Sequence, residues 1–301
     1  MAVLMVMFNP TSSVRIVQNW LYVWNKLVSA NIPVFGAELI FPWQKPALAD
    51  AFKTLTVRSD SIMFHKEKLL ARLERDLPTT YTKICAIDCD IVFARPDWYD
   101  AVSIALDTHS VVQPYGMCHW MGPDLRVPVM SNPSGVAKLP EIRAAHATGA
   151  TDRLNGHPGF AMAMRRGLDL QFVWAVVGGG DAVLFRAVSG LSGEFAHKKM
   201  RRLMDAPLSE YMERVGGLGL DGKPAFVDGD IWHMWHGPLQ TRQYYDRYEK
   251  FLEALPAGVR DIRDVLVENE EGVWSWRADA KKSLNAMMLH YFAGRDDDAV
   301  A

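Results

Sequence analysis

The chain lacks three features that would restrict its function. Three cysteines (Cys85, Cys89 and Cys118) form neither a zinc-site spacing nor an even-numbered disulfide framework. No stretch approaches ~18 unbroken apolar residues, so no transmembrane helix is predicted. The formal net charge is -2, which gives no global basic field to attract nucleic acid. These absences lead us to expect a cytoplasmic protein in a reducing compartment, without a membrane span.

The first third of the chain alternates between two kinds of pattern. Continuous apolar runs suit buried strands, and segments with apolar residues at helical spacing suit covering helices. In chain order the pattern predicts a strand at 2–8, a helix at 13–30, a strand at 32–41, a helix at 60–78 and a strand at 83–93. Such alternation predicts an α/β fold with a mostly parallel sheet flanked by helices.

Two carboxylates lie near the end of the last of these strands, in the stretch KICAIDCDIVF. Ligands of such sheets bind beyond the carboxyl ends of the strands, where Asp88 and Asp90 fall. On a regular strand the two side chains would point the same way and repel, and a divalent cation would relieve the repulsion. Mg²⁺ and Mn²⁺ prefer oxygen ligands and are commonly shared with substrate phosphates. Two solvated acids in a turn are the alternative interpretation.

Lys66 falls on the apolar stripe of the helix predicted at 60–78. A lysine on a buried face needs an anion, which a phosphate or one of the two aspartates would supply. Alternatively, its aliphatic stem passes the stripe and its ammonium group reaches water.

Asp181 follows three glycines in VVGGGD, at a turn that leads into a predicted helix. Glycines permit a close approach to a ligand, and an acid there can act as the general base for an acceptor hydroxyl. The alternative is that Asp181 is the N-cap of the helix.

His233 and His236 lie in WHMWHG, in or just after a predicted strand at 229–237. On an extended strand, residues three apart face opposite sides, so one histidine at most would reach a metal; in a turn both would. A nitrogen donor beside carboxylate oxygens suits Mn²⁺. Alternatively, the two histidines are held in an aromatic cluster with Trp232 and Trp235.

Two further segments carry weaker signals. Residues 116–157 are rich in proline, glycine and serine, which predicts a long loop of functional importance. The run HKKMRR at 197–202 is locally basic; a solvated helix face explains it, and it gives slight support to DNA as a partner.

Taken in order, several stretches resemble the GT-A fold glycosyltransferases, the nucleotide-sugar-dependent class with an Asp-x-Asp motif. They are FNP, GAELIF, HKEKLLARLERDLPTTYTKICAIDCDIVFARPDW, GHPGFAMAMRR, VVGGGD, HMWHG and TRQYYDRY. The resemblance implies a Rossmann-like single domain over 1–301. Within it, 1–115 would bind the nucleotide sugar, 116–240 would hold the acceptor and catalytic residues, and 241–301 would form a helical extension.

The resemblance also implies roles for individual residues. Asp88 would contact the ribose or sugar, Asp90 would bind Mn²⁺ or Mg²⁺, and His236, or else His233, would complete the coordination. Asp181 would activate the acceptor hydroxyl, as in inverting members. The remaining expected donor contacts are Asn9, Arg15 and Glu38 at the nucleotide and Lys66 at its phosphates.

The expected reaction moves a sugar from a nucleotide-diphosphate sugar, with a UDP-sugar favoured, to an acceptor hydroxyl. The acceptor class is open and includes a glycan, a small molecule, a protein or a hydroxylated base in DNA. Two other functions are consistent with parts of the pattern: a nucleotidyltransferase of similar sheet topology, and a carbohydrate- or nucleotide-binding module without catalysis. FNPTSSVR, after the first strand, lacks the glycine that a nucleotidyltransferase would need there.

Overall fold

A computed structural model of the chain describes residues 1–48, 54–148, 156–191, 198–220, 223–244 and 246–299. The first half of the chain contains β1 (Ala2–Phe8), α1 (Val14–Ser29), β2 (Val34–Ile40), β3 (Leu55–Arg58), α2 (Lys66–Asp76), β4 (Lys83–Ile87), β5 (Ile91–Phe93), α3 (Trp98–Thr108), β6 (Val111–Gln113), β7 (Met117–Met121), β8 (Pro128–Pro133) and α4 (Leu139–Ala147).

The second half contains β9 (Ala161–Arg165), α5 (Gly180–Val188), α6 (Lys198–Gly217), β10 (Ala225–Phe226), β11 (Asp230–His233), α7 (Arg247–Ala254), β12 (Leu266–Glu268), β13 (Trp274–Trp276) and α8 (Ala278–Ala293). Helix α6 is kinked at Met204, three residues before Pro207.

The main sheet has seven strands in the order β10-β6-β9-β4-β1-β2-β3. Its neighbours pair in parallel except at β9, which is antiparallel to both β4 and β6. The predicted α/β class, with a mixed, mostly parallel sheet flanked by helices, is therefore confirmed. Within the described residues, no helix is both long and apolar enough to cross a membrane.

Strand β1 lies inside the main sheet, between β4 and β2, and this position explains its apolar composition. Alternate residues face opposite sides of a strand, so Ala2 and Leu4 pack into one core and Val3 and Met5 into the other. The first core lies under α2, α5, α6, α7 and α8, and the second under α1 and α3. A central strand covered on both faces needs apolar side chains throughout, as this one has.

The predicted strand at 83–93 is wrong as a single element. Strand β4 ends at Ile87, and β5 begins at Ile91 and belongs to a second sheet, of order β5-β11-β7-β8. Asp88 and Asp90 lie in the turn between them. The two carboxylates therefore do not share one face of a regular strand, because the chain changes direction as it passes from one sheet to the other.

The helix predicted at 60–78 begins later, at Lys66. Lys66 is therefore the first residue of α2 and not a member of a continuing apolar stripe. A cation at this end of a helix is disfavoured by the helix dipole, so its position needs compensation from nearby anions.

The loop predicted at 116–157 is also wrong. Strands β7 and β8 form an antiparallel pair there, and α4 follows them. Two of the prolines that suggested a loop, Pro128 and Pro133, occupy the two ends of β8. Strand β8 lies at the edge of its sheet, where proline is tolerated because one side of the strand has no ladder to join.

Candidate active site

A cavity of about 740 Å³ opens at the carboxyl ends of β1 and β4. The last residues of β1, the turn after β4 and the start of α5 line it, together with side chains from the region after β11. This is the edge of the sheet where ligands of α/β proteins bind. All three predicted parts of the chain contribute lining residues, including 241–301, which holds the β12–β13 hairpin as well as helices.

Asp90, His233 and His236 meet in this cavity as a potential metal site. The Oδ2 atom of Asp90 lies 3.1 Å from Nε2 of His236 and 3.7 Å from Nε2 of His233. The two Nε2 atoms lie 3.1 Å apart. Ligands at right angles on one ion, each ~2.1 Å from it, would lie about 3 Å apart, so the three atoms fit one cation. Asp90 Oδ1 is buried and has no hydrogen-bond partner among the described residues.

The local chain path explains how two histidines three apart reach one carboxylate. His233 ends β11, which pairs with β5 directly after the Asp90 turn, and the backbone amide of Met234 donates to the carbonyl of Asp90 at 2.8 Å. The chain then leaves the strand, which frees His236 from the alternation of strand side chains. Both histidines therefore face Asp90.

Burial sets the protonation state of both histidines. It lowers the pKa of His233 to about 3, and it lowers the pKa of His236 well below its usual range even though the Asp90 carboxylate acts in the opposite direction. Both imidazoles are therefore neutral near pH 7. A neutral imidazole can offer an unprotonated nitrogen to a metal, whereas an imidazolium cannot.

The far side of His236 is held by a charged pair. Nδ1 of His236 lies 2.8 Å from a guanidinium nitrogen of Arg242 and 3.4 Å from Oδ1 of Asp297. Arg242 and Arg295 both pair with that carboxylate, at 3.0 and 3.2 Å. A histidine that binds a cation through Nε2 carries its proton on Nδ1 and needs an acceptor there. Asp297 Oδ1 can accept that proton, in which case Arg242, which can only donate, donates to the carbonyl of His236 and not to Nδ1.

Asp88 has a different partner from Asp90. Its carboxylate forms an ion pair with the ammonium group of Lys66, and both side chains line the cavity. Burial lowers the pKa of Lys66, but the carboxylates of Asp88, Asp181 and Glu67 raise it by more, so the net direction is upward and Lys66 stays charged. These anions compensate the unfavourable position of Lys66 at the start of α2.

Asp181 is the second residue of α5 and lines the cavity. The N-cap is Gly179, with a φ of 91°, so the interpretation of Asp181 as the cap is wrong. Its carboxylate packs directly on Gly159, where a Cβ would lie 2.0 Å from Oδ2. Only glycine fits at 159 with this carboxylate position.

Glu67 is a cavity residue that the sequence analysis missed. Its side chain is 6% exposed, and its carboxylate packs on Gly180, where a Cβ would lie 2.2 Å from Oε1. Burial raises the pKa of Glu67 to about 7, and the charge of Asp181 adds to the effect while Lys66 opposes it. The sequence signal was weak, since an acid in the first turn of a helix is common.

Three predicted donor contacts lie elsewhere. Asn9 bonds the backbone of Ser13 at 2.8 and 2.9 Å and so shapes the turn before α1. Glu38 accepts hydrogen bonds from the amides of Ala47 and Leu48 at 2.7 and 3.1 Å. Asn9, Glu38 and Arg15 are not among the described residues that line the cavity. Their contact with a nucleotide stays a prediction.

The C-terminal segment 295–299 forms part of the site and was not predicted to do so. Asp297 reaches His236, while the carboxylate of Asp298 caps α1, accepting from the hydroxyl of Ser13 and the amide of Arg15, both at 2.8 Å. The indole of Trp235 donates to the carbonyl of Ala299 at 3.0 Å. The segment thus joins the metal-site side of the cavity to the start of α1.

No protein family and no curated protein matches this chain. Solved structures of glucosyl-3-phosphoglycerate synthase from Mycobacterium tuberculosis are similar to it. The complex with Mn²⁺, uridine-diphosphate and phosphoglyceric acid is 15% identical over 84% of this chain and 75% of that chain, with a TM-score of 0.43. A second structure is 14% identical over 91% and 86%, with a TM-score of 0.42. The complex with uridine-diphosphate is 14% identical over 92% and 86%, with a TM-score of 0.43. Similarity at this level does not identify a substrate.

Proposed function

We propose that the protein is a metal-dependent glycosyltransferase that moves a sugar from a nucleotide-diphosphate sugar to an acceptor hydroxyl. One observation carries the proposal: the Asp90, His233 and His236 cluster shares a single cavity with Asp181 at the ligand edge of the sheet. A cation site and a potential general base are the two parts that this transfer needs.

Asp90, His233 and His236 would hold the metal. Their mixture of nitrogen and oxygen donors suits Mn²⁺ better than Mg²⁺, which prefers oxygen. When bound, the ion supplies a Lewis acid for the charge that develops on the leaving diphosphate. The chain itself adds the ammonium group of Lys66, which stays charged on the same cavity wall. A UDP-sugar is the donor we favour.

Asp181 is placed to take a proton from the acceptor. In the proposed reaction the acceptor oxygen forms a bond to the anomeric carbon as the bond from that carbon to the diphosphate oxygen breaks. The hydroxyl proton passes to the Asp181 carboxylate, and the nucleoside diphosphate leaves. Direct attack of this kind inverts the anomeric centre. General-base catalysis of this kind contributes ~10²–10⁴ in rate.

A nucleotidyltransferase is the second candidate, and the segment after β1 argues against it. Such an enzyme would cradle phosphate there, but residues 9–13 contain no glycine. The amides of Val14 and Arg15, at the start of α1, already donate to the carboxylate of Asp298 in the chain's own C-terminal segment. The position therefore offers no open phosphate cradle.

A DNA acceptor is not part of the proposal. The basic run at 197–202 begins outside the described residues, and Arg201 within it pairs with Asp205 at 3.1 Å on one face of α6. An intrahelical pair of this kind is typical of a solvated helix surface.

A donor screen followed by one variant pair tests the proposal. Thermal shift with UDP-, GDP-, CMP- and dTDP-sugars and Mn²⁺ should show selective stabilisation by one donor. Asp90→Asn should then abolish Mn²⁺-dependent donor cleavage while the protein remains folded by circular dichroism. Asp100→Asn, at an exposed site in α3, is the matched control and should keep full activity. Full metal-dependent activity of Asp90→Asn would contradict the proposed function.

A further inference from the structure

Arg247 is a buried cation in the cavity without an anionic partner among the described residues. It is the first residue of α7, is 7% exposed and lines the cavity. Within the described part of the chain, its guanidinium has one hydrogen bond, a long one of 3.4 Å to the hydroxyl of Tyr291, and its Nε atom has no hydrogen-bond partner. The rings of Phe64, Tyr244 and Tyr248 also lie near the guanidinium, with centroids at 5.2 to 5.9 Å.

Three other cations that line the cavity are paired with carboxylates of the protein. Lys66 pairs with Asp88, and Arg242 and Arg295 share Asp297. Aromatic faces attract a cation, but they do not replace the hydrogen bonds that a guanidinium loses on leaving water. A buried charge is costly unless it is paired. Arg247 thus presents unused donors, in the planar arrangement that matches a phosphate or carboxylate.

Arg247 lies beside the segment that carries Asp181, on the side of the cavity where the acceptor would bind. Its guanidinium packs against Gly178, where a Cβ would lie 3.0 Å from one terminal nitrogen. Gly178 begins the short segment that ends at Asp181, the proposed base. The cations beside the proposed metal ligand His236 are instead Arg242 and Arg295, which pair with the Asp297 carboxylate that reaches His236.

We propose that the acceptor carries a phosphate or carboxylate group and that Arg247 binds it, which holds the acceptor hydroxyl towards Asp181. This inference rests on the proposed function, because it names the class of acceptor for that reaction. Arg247 would thus select the acceptor, a role separate from binding the donor and the metal.

Binding of simple anions tests the assignment. Calorimetric titrations of inorganic phosphate and of acetate are made on the full chain with Mn²⁺ and UDP present, so that the donor side is filled. We expect the wild type to bind at least one anion, and the preferred one distinguishes a phosphorylated from a carboxylated acceptor. Arg247→Gln should weaken that binding about tenfold or more, since charged hydrogen bonds are lost.

Two further variants control for folding and charge. Arg247→Lys keeps the charge without the planar fork and should bind the anion with intermediate affinity. Arg214→Gln removes a surface arginine that stacks on Tyr211 and should bind like the wild type. Circular dichroism and the melting temperature show whether each variant is folded, and Arg247→Lys provides the test if Arg247→Gln does not fold.

The outcomes separate this inference from the proposed function. The anionic acceptor is ruled out if the wild type binds neither anion, or if Arg247→Gln and Arg247→Lys bind the anion as tightly as the wild type does. Mn²⁺-dependent UDP binding would persist in either case, so the proposed function would stand. Loss of UDP binding in folded Arg247→Gln also rules out the anionic acceptor and assigns the guanidinium to the donor diphosphate. A wild type that binds none of the nucleotides of the donor screen with Mn²⁺ contradicts the proposed function, and the acceptor assignment with it.

Discussion

Replacing Glu67 with glutamine should change how the stability of the protein depends on pH. In the folded protein burial raises the pKa of Glu67 to about 7, against an ordinary value of 4.5. The folded state therefore keeps its proton at pH values where the unfolded chain releases it. The stability that this proton contributes is present below the unfolded pKa and is lost as the pH rises from 4.5 through about 7.

The size of the effect follows from the two pKa values. One pKa unit corresponds to 1.36 kcal/mol, so the interval from 4.5 to about 7 amounts to about 3 kcal/mol as an upper figure. Glu67→Gln carries a neutral side chain of the same shape at every pH. Relative to the wild type, the variant should therefore gain up to about 3 kcal/mol in unfolding free energy between about pH 4.5 and pH 8.

Urea unfolding followed by circular dichroism, at several pH values across that interval, measures the difference. Glu213→Gln replaces an exposed glutamate on α6 and is the control, for which the difference should stay constant with pH. If the difference in unfolding free energy between Glu67→Gln and the wild type stays constant or falls as the pH rises, burial does not raise the pKa of Glu67.

Three other variants test separate parts of the structure. Gly159→Ala should leave Mn²⁺ and UDP binding intact but slow transfer, because its Cβ would displace the Asp181 carboxylate; unchanged single-turnover rates would contradict this. Asp181→Asn should reduce transfer by ~10²–10⁴ with donor affinity unchanged, and a wild-type rate would remove the general-base role. Asp298→Ala removes the carboxylate cap of α1 and should cost about 1 kcal/mol of stability in urea unfolding, whereas no change would show that the cap contributes nothing.

Elements with strong local signals were predictable from sequence. The apolar run of β1 occupies the residues expected, and α1 lies within the predicted helix, with Ser13 as its N-cap and a buried face that includes Trp20 and Leu27. In both cases the pattern within the segment determines the element, since the core needs either continuous or helically spaced apolar residues.

The second sheet was not predictable in the same way. Strand β5 pairs with β11, more than a hundred residues later, and that pairing turns Asp90 away from the path of β4. Strand β11 lies within the strand predicted at 229–237, but the sequence of neither short strand indicates its partner. The position of both histidines beside Asp90 depends on this long-range pairing, so local spacing alone left open whether one or both would reach it.

Charge partners were the least predictable part of the site. Asp88 and Asp90 are two residues apart, yet one pairs with Lys66 and the other faces two histidines. Nothing in local spacing distinguishes Glu67 or Arg247 from ordinary charged residues at the start of a helix. What distinguishes them is burial at a cavity that tertiary contacts create.

The proposed function depends above all on Asp90, His233 and His236 binding one divalent cation. Crystals grown with Mn²⁺ and UDP, measured by anomalous diffraction near the manganese absorption edge, test it most directly. We expect one anomalous peak at bonding distance from an Asp90 oxygen and from Nε2 of both histidines, next to the diphosphate. A peak elsewhere, or UDP bound in the cavity without any peak at these three atoms, would contradict it.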